Sequence, residues 1–213
     1  MKPPRRVQVE LGELPEYEAD RFATGDDFEG VRLTFPTDEP VLTRSTLREV
    51  ELSGSVLASL ETREARLTDV AGRRLGVGAW QSAGARWSRV HLEGGRLGSL
   101  DLTGATLDGI RFEGLRIGYL TLAQAALVDV AFVDCEFETL DLPAATCQRV
   151  AFEGCRAAEL DVRHALFNDT DLRGLAFDGL EGVDALRGAT VSGAQAVQLA
   201  ERLAEAAGIA VAD

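Results

Sequence analysis

The stretch Leu97-Gly-Ser-Leu-Asp-Leu-Thr-Gly-Ala-Thr-Leu-Asp-Gly-Ile-Arg-Phe-Glu-Gly-Leu-Arg-Ile-Gly-Tyr-Leu-Thr-Leu122 places Leu97, Leu102, Leu107, Phe112, Ile117 and Leu122 five positions apart. A helix repeats every 3.6 residues and a strand every two, so neither alone explains a period of five. Extended in both directions, the same step runs from Leu42 to Phe177 and meets an apolar residue everywhere except Thr62, Gly72 and Ser82.

The residue two before each of these central positions is also small or apolar, and it sorts into columns when read every twenty residues. One column is Ala65, Ala85, Ala105, Ala125, Ala145, Ala165 and Ala185. Others read Val50, Val70, Val90, Ile110, Val130, Val150 and Thr170, or Leu60, Trp80, Leu100, Leu120, Leu140, Leu160 and Leu180. The fourth is Ser55, Leu75, Gly95, Leu115, Cys135, Cys155 and Leu175. Identity at a spacing of twenty means that four five-residue sides close one coil and that equivalent residues stack on the next. In each side the central residue and the one two before it point inward, as alternation in an extended segment requires. The remaining positions face solvent or turn a corner, where Gly54, Gly84, Gly94, Gly104, Gly109, Gly114, Gly154, Gly174 and Gly179 suit backbone conformations that glycine tolerates.

Units such as LDLTG, ATLDG, LDLPA and TDLRG resemble the pentapeptide repeat family, whose consensus is Ala-(Asp/Asn)-Leu-x-x. The resemblance implies an all-β solenoid, a right-handed quadrilateral β-helix. Residues 40–182 are expected to form about seven coils at about 4.8 Å each. Residues 1–39 fall outside the register: Phe28 and Leu33 keep the spacing of five but not the phase of Leu42. Pro36 and Pro40 therefore bracket an expected insertion after an irregular first coil, and Val-Gln-Val-Glu-Leu (7–11) reads as an edge strand. Trp80 and the weak positions between Thr62 and Ser82 suggest a bulged coil.

Residues 183–213 read as a helical cap. Ser192 and Gln195 form a capping box, Val197, Leu199, Ala200 and Leu203 give an apolar face, Gly208 stops the helix, and Ile209 to Val211 suggest a short strand. The helix is expected to cover the open end of the last coil. Dimerisation through the same face is the alternative, which leaves a monomer or a C-terminal homodimer.

The 35 acidic and 22 basic residues give a net charge of −13, which disfavours direct attraction to nucleic acid or anionic lipid. No apolar run suits a signal peptide or a membrane span, so the cytoplasm is the default location. Cys135, Cys147 and Cys155 form no Cys-x-x-Cys pair and read as buried small hydrophobes. His91 and His164 fall at outward positions without a shielded cleft, and no Walker or Rossmann signature is present. Neither an enzyme, a metal site nor a cofactor is expected.

Glu61, Asp101, Asp141, Asp161 and Glu181 occupy the position before the centre on one side of the coil and form a candidate acidic ladder for a protein partner. Arg96, Arg116 and Arg156 make a basic column on another side, and Arg66 with Arg86 lies on a third. The resemblance implies an interaction scaffold or, alternatively, a DNA mimic that binds DNA gyrase or another type II topoisomerase, inhibiting it or protecting it from quinolones. Charge limits the mimic reading. Residues 41–116 hold 9 acids and 11 arginines, whereas residues 117–180 hold 11 acids and 4 arginines, so only the C-terminal half resembles a polyanion.

Overall fold

The computed structural model describes residues 1–18, 22–53 and 56–210. Its architecture is a parallel β-solenoid of about eight turns closed by one C-terminal helix. Equivalent residues are hydrogen-bonded neighbours at a spacing of twenty: Leu47, Leu67, Trp87, Leu107, Leu127, Cys147 and Phe167 follow one another from coil to coil. Among the described residues nearly all inward positions are buried, Gly95 and Ala185 being half-buried, so large side chains fill the axis of the rod. Among them Phe112, Phe132 and Phe152 stack face to face, with ring centroids 4.8 and 4.7 Å apart. Stacking of aromatic rings adds to the area they bury.

The additional turn lies in the segment that the sequence leaves out of register. Asp27–Thr34 pairs in parallel with Thr46–Ser53, placing Phe28 opposite Leu47 and Leu33 opposite Leu52, a step of 19 rather than 20. The chain between Leu33 and Leu42 is therefore one residue short of the regular repeat, and the expected insertion around Pro36 and Pro40 is a deletion. Glu16–Glu18 in turn pairs with Arg32–Thr34 at a spacing of 16. Residues 7–11 form no strand, contrary to the expectation, and Ile209 and Ala210 form none either. Val211 lies outside the described residues, as do Gly54 and Ser55.

The coil around Trp80 does not bulge. Arg66–Gln81 is one continuous strand segment, in which Trp80 lies between Leu60 and Leu100. The two hydroxyl residues that interrupt the apolar step belong to the indoles. Trp80 Nε1 donates to Thr62 Oγ1 at 2.8 Å, and Trp87 Nε1 donates to Ser82 Oγ at 3.1 Å. Thr62 Oγ1 donates to Ser82 Oγ at 2.9 Å, and all four residues are fully buried. Gly72, the third interruption, leaves room that Leu75 and Leu92 occupy.

Three corners of the coil use a left-handed residue two positions after the centre, and many of these residues are not glycine. One corner column reads Arg44, Glu64, Gly84, Gly104, Gln124, Ala144 and His164; a second reads Glu49, Asp69, Arg89, Gly109, Asp129, Arg149 and Asp169. Left-handed backbone costs an ordinary L-residue roughly 1–2 kcal/mol, partly offset in glycine by its greater unfolded-state entropy. Ala144, at φ 55°, carries that cost and has no polar side chain to compensate. Ala144→Gly is therefore expected to stabilise the rod by about 0.5–1 kcal/mol, read as a higher urea midpoint at unchanged slope. Gly174 and Gly179, placed at corners by the same spacing, are not left-handed.

At the C-terminus α1 (Gly193–Ala206) starts at Ser192 with the expected capping box. Gln195 also donates through Nε2 to the carbonyls of Leu172 and Leu175, both at 2.8 Å. Gln198 donates to the carbonyl of Phe177 and Arg202 to that of Leu180, at 3.2 and 3.0 Å. These groups occupy the hydrogen-bonding positions that a further coil would fill, which is how the helix caps an open β edge. Among the described residues, no helix is long and apolar enough to cross a membrane.

Candidate interaction faces

The acidic ladder exists as a column. Glu61, Gln81, Asp101, Thr121, Asp141, Asp161 and Glu181 are successive neighbours, so the carboxylates are interrupted by Gln81 and Thr121 and run unbroken only from Asp141 to Glu181. Their side chains are not free rungs. Asp101 accepts from the backbone N–H of Thr103 at 2.9 Å, and Asp161 accepts from that of Arg163 at the same distance. The carboxylate before the centre thus closes the corner that follows, as short acidic side chains do in turns. Glu61 accepts from Thr43 Oγ1 at 2.6 Å and pairs with Arg63 at 3.1 Å. Glu181 is exposed.

Asp161 is the most engaged member. It is 8% exposed and receives three side-chain hydrogen bonds from Arg163, two from Nε, both at 3.0 Å, and one from Nη2 at 2.6 Å. Those bonds hold its carboxyl below the usual carboxylate range, against the opposing effect of burial. Because the folded value lies below the unfolded one, the stabilisation is present above the unfolded pKa of about 3.9 and is lost as pH falls through the folded value. Asp161→Asn should therefore remove part of the loss of stability on acidification below about pH 4, measured by thermal unfolding across that range. The Asp-x-Arg spacing that marks this pairing is legible in Asp161-Val-Arg163 and recurs in Asp171-Leu-Arg173.

Sequence reasoning passed over Tyr119. It stands beside the ladder between Ser99 and Thr139, is 42% exposed, and donates its hydroxyl to Asp141 Oδ2 at 2.6 Å. The bond to Asp141 raises the phenol's pKa, so the group remains a protonated donor. An exposed, oriented tyrosine beside carboxylates combines apolar contact area with polar anchoring, the composition that concentrates binding energy in protein interfaces. Its sequence signal was the single aromatic residue at an outward position of the regular repeat.

On the neighbouring side, Arg96, Arg116, Glu136 and Arg156 follow one another, so the basic column is broken by a glutamate. Arg116 pairs with Glu136 at 3.3 Å and Arg156 with Asp178. These residues flank a groove of about 510 Å³ whose floor includes Gly98 and Gly118. Arg66 and Arg86 are neighbours on a third side. His91 meets Glu113 at 3.2 Å, while His164 occupies a left-handed corner. Cys135, Cys147 and Cys155 are free and buried, and burial pushes the Cys147 thiol up to about 12.

The four helix residues grouped by sequence divide. Leu199 is 2% exposed and joins the core, whereas Val197 and Leu203 are 79% and 42% exposed and Ala200 is exposed with them. The side of α1 that faces the rod carries Gln195, Gln198 and Arg202 because the surface it meets is a row of carbonyls.

No family model and no curated relative matches the chain. Among solved structures, two trypsin-treated variants of QnrB1, a plasmid-mediated fluoroquinolone resistance protein, are similar to it. The first is 18% identical, with 93% of this chain and 97% of that chain covered and a TM-score of 0.40. For the second the values are 14%, 89%, 99% and 0.32.

Proposed function

We propose that the chain is a pentapeptide repeat protein that acts without catalysis in the cytoplasm, binding a protein partner through the ladder side of the rod. The observation that carries this reading is the exposed Tyr119 hydroxyl bonded to Asp141 within a coil-registered row of carboxylates. A rigid solenoid holds such groups at fixed spacing, so little ordering entropy opposes association. A C-terminal homodimer through the exposed Val197, Ala200 and Leu203 is the alternative to a monomer.

The experiment compares partners retained by the unaltered chain with those retained by Tyr119→Ala and by Asp101→Asn/Asp141→Asn, quantified by mass spectrometry. Partners lost from both variants, with unfolding curves unchanged, support the reading; an identical set on all three chains removes it.

A second reading, gyrase binding by DNA mimicry, draws on the acidic excess of residues 117–180 and the consecutive rungs Asp141, Asp161 and Glu181. Pairing of Asp161 with Arg163 leaves this stretch a weaker polyanion than its acid count suggests. A gyrase supercoiling assay with and without a fluoroquinolone tests it. Absence of inhibition, protection or binding at micromolar protein would exclude the mimic while leaving the scaffold standing.

A further inference from the structure

Residues 2–9 lie lengthwise over the corner column Glu49, Asp69, Arg89, Gly109, Asp129, Arg149 and Asp169, against the direction in which the coils advance. The backbone N–H of Lys2 donates to Asp169 Oδ1 at 2.8 Å, and that of Arg5 donates to Asp129 Oδ1 at 3.0 Å. The Arg5 guanidinium adds a 2.9 Å ion pair to Asp129. Further along, Val7 covers Gly109, the residue of this column without a side chain, and Val9 is 9% exposed.

The spacing is matched. Asp129 and Asp169 stand two coils apart, about 9.6 Å, and an extended chain covers about 10 Å in the three residues from Lys2 to Arg5. Pro3 and Pro4 between them favour that extended form. Charge is matched as well: Glu49, Asp69, Asp108, Asp129 and Asp169 outnumber Arg89 and Arg149 on the covered surface, and the segment brings Lys2, Arg5 and Arg6.

This occupancy is additional to what the rod needs. The Asp129 carboxylate, 1% exposed with the segment in place, is held independently by Arg149 of the next coil at 2.7 and 2.8 Å. Arg5, by contrast, keeps 77% of its side chain in solvent, where an ion pair contributes little and salt screens it. The segment adds no strand to the sheet.

We propose that this corner is a docking groove for a basic, proline-containing extended segment of a partner protein, and that residues 2–9 are its intramolecular occupant, displaced when such a segment binds. The groove lies apart from the Tyr119 side, so either surface can fail its test without the other.

The probe is a fluorescein-labelled peptide, Lys-Pro-Pro-Arg-Arg-Val-Gln-Val-Glu-Leu, followed by anisotropy against full-length protein. Arg5→Glu sets a carboxylate against Asp129, so repulsion rather than loss of the weak pair should expel the internal occupant and raise peptide affinity at least about tenfold over the unaltered chain, the gain that follows if the occupant fills the groove about nine-tenths of the time. Binding should weaken as salt rises from about 0.05 to about 0.5 M, and a peptide with glutamate for both arginines should not bind. Adding Asp169→Ala, which removes the acceptor of the Lys2 backbone N–H, to Arg5→Glu should reverse the gain. Equal peptide binding by the unaltered and Arg5→Glu chains, or none by either, would overturn the proposal. So would loss of cooperative unfolding in Arg5→Glu, which would make the segment an obligatory staple.

Discussion

Gly95→Ala is expected to lower the stability of the rod by about 3–5 kcal/mol, because steric overlap and backbone strain act at one residue. A Cβ there would lie 2.2 Å from the Leu75 carbonyl oxygen and 2.7 Å from its nitrogen, and φ is +114°. The contacts are with backbone that belongs to the ladder of the preceding coil, so the neighbour cannot rotate away as a side chain could. Two controls separate the causes. Gly104 is left-handed at φ +64° with nothing within 4 Å of an added Cβ, so Gly104→Ala should cost only the conformational term, roughly 1 kcal/mol. Gly98 has no positive φ, but its Cβ would stand 2.3 Å from the Gly78 carbonyl oxygen, so Gly98→Ala isolates the overlap and should fall between the others. Urea unfolding followed by circular dichroism gives the order. A Gly95→Ala loss no larger than that of Gly104→Ala would show that the coils separate easily at this point. Because each coil contacts mainly its neighbours, the variant should also show its first loss of structure around Gly95 in hydrogen exchange.

The coil, its repeat and the buried columns were legible because each inward position recurs every twenty residues and tolerates only small or apolar side chains. The ladder was legible as a column for the same reason, since registered stacking follows from the repeat alone. What neighbours do to its charges was less visible. The pairing of Asp161 with Arg163 depends on how a corner folds the chain back, although the two-residue spacing marks it. Tyr119 and Asp141 meet across coils at a separation of 22, a distance in sequence that the five-residue step does not bring into view. Phe28 and Leu33 kept the right spacing but lost phase, because one residue is missing before Leu42; the hydrogen-bonded register shows this where a fixed frame cannot. The N-terminal segment reads wrongly as an edge strand, since Val7 and Val9 alternate as in a strand, whereas the segment touches the rod through those two side chains, Arg5 and backbone N–H groups rather than through a ladder.

Ser82→Ala is expected to destabilise the protein by about 2–4 kcal/mol, although it removes a single oxygen atom from a position where most coils carry Leu or Phe. Ser82 Oγ accepts from Trp87 Nε1 and from Thr62 Oγ1, and it donates to the Thr62 carbonyl at 3.5 Å. Without it, a buried indole N–H and a buried hydroxyl lose their acceptor, at about 1–3 kcal/mol for each group left unsatisfied. Thr62 still accepts from Trp80, so that indole is spared, and the loss should appear chiefly at Trp87. Replacing the partner as well supplies the decisive comparison. Trp87→Phe removes the donor and restores an aromatic residue against Trp80 and Phe112, whose rings lie 5.3 and 6.4 Å away. In the double variant Ser82→Ala/Trp87→Phe the apolar step is regained without an orphaned indole, so its destabilisation should be smaller than the sum of the single ones by about 1 kcal/mol or more. Additive losses would mean that the hydroxyls merely fill space, and the interruptions at Thr62 and Ser82 would then be defects in the repeat rather than the polar seat of its two tryptophans.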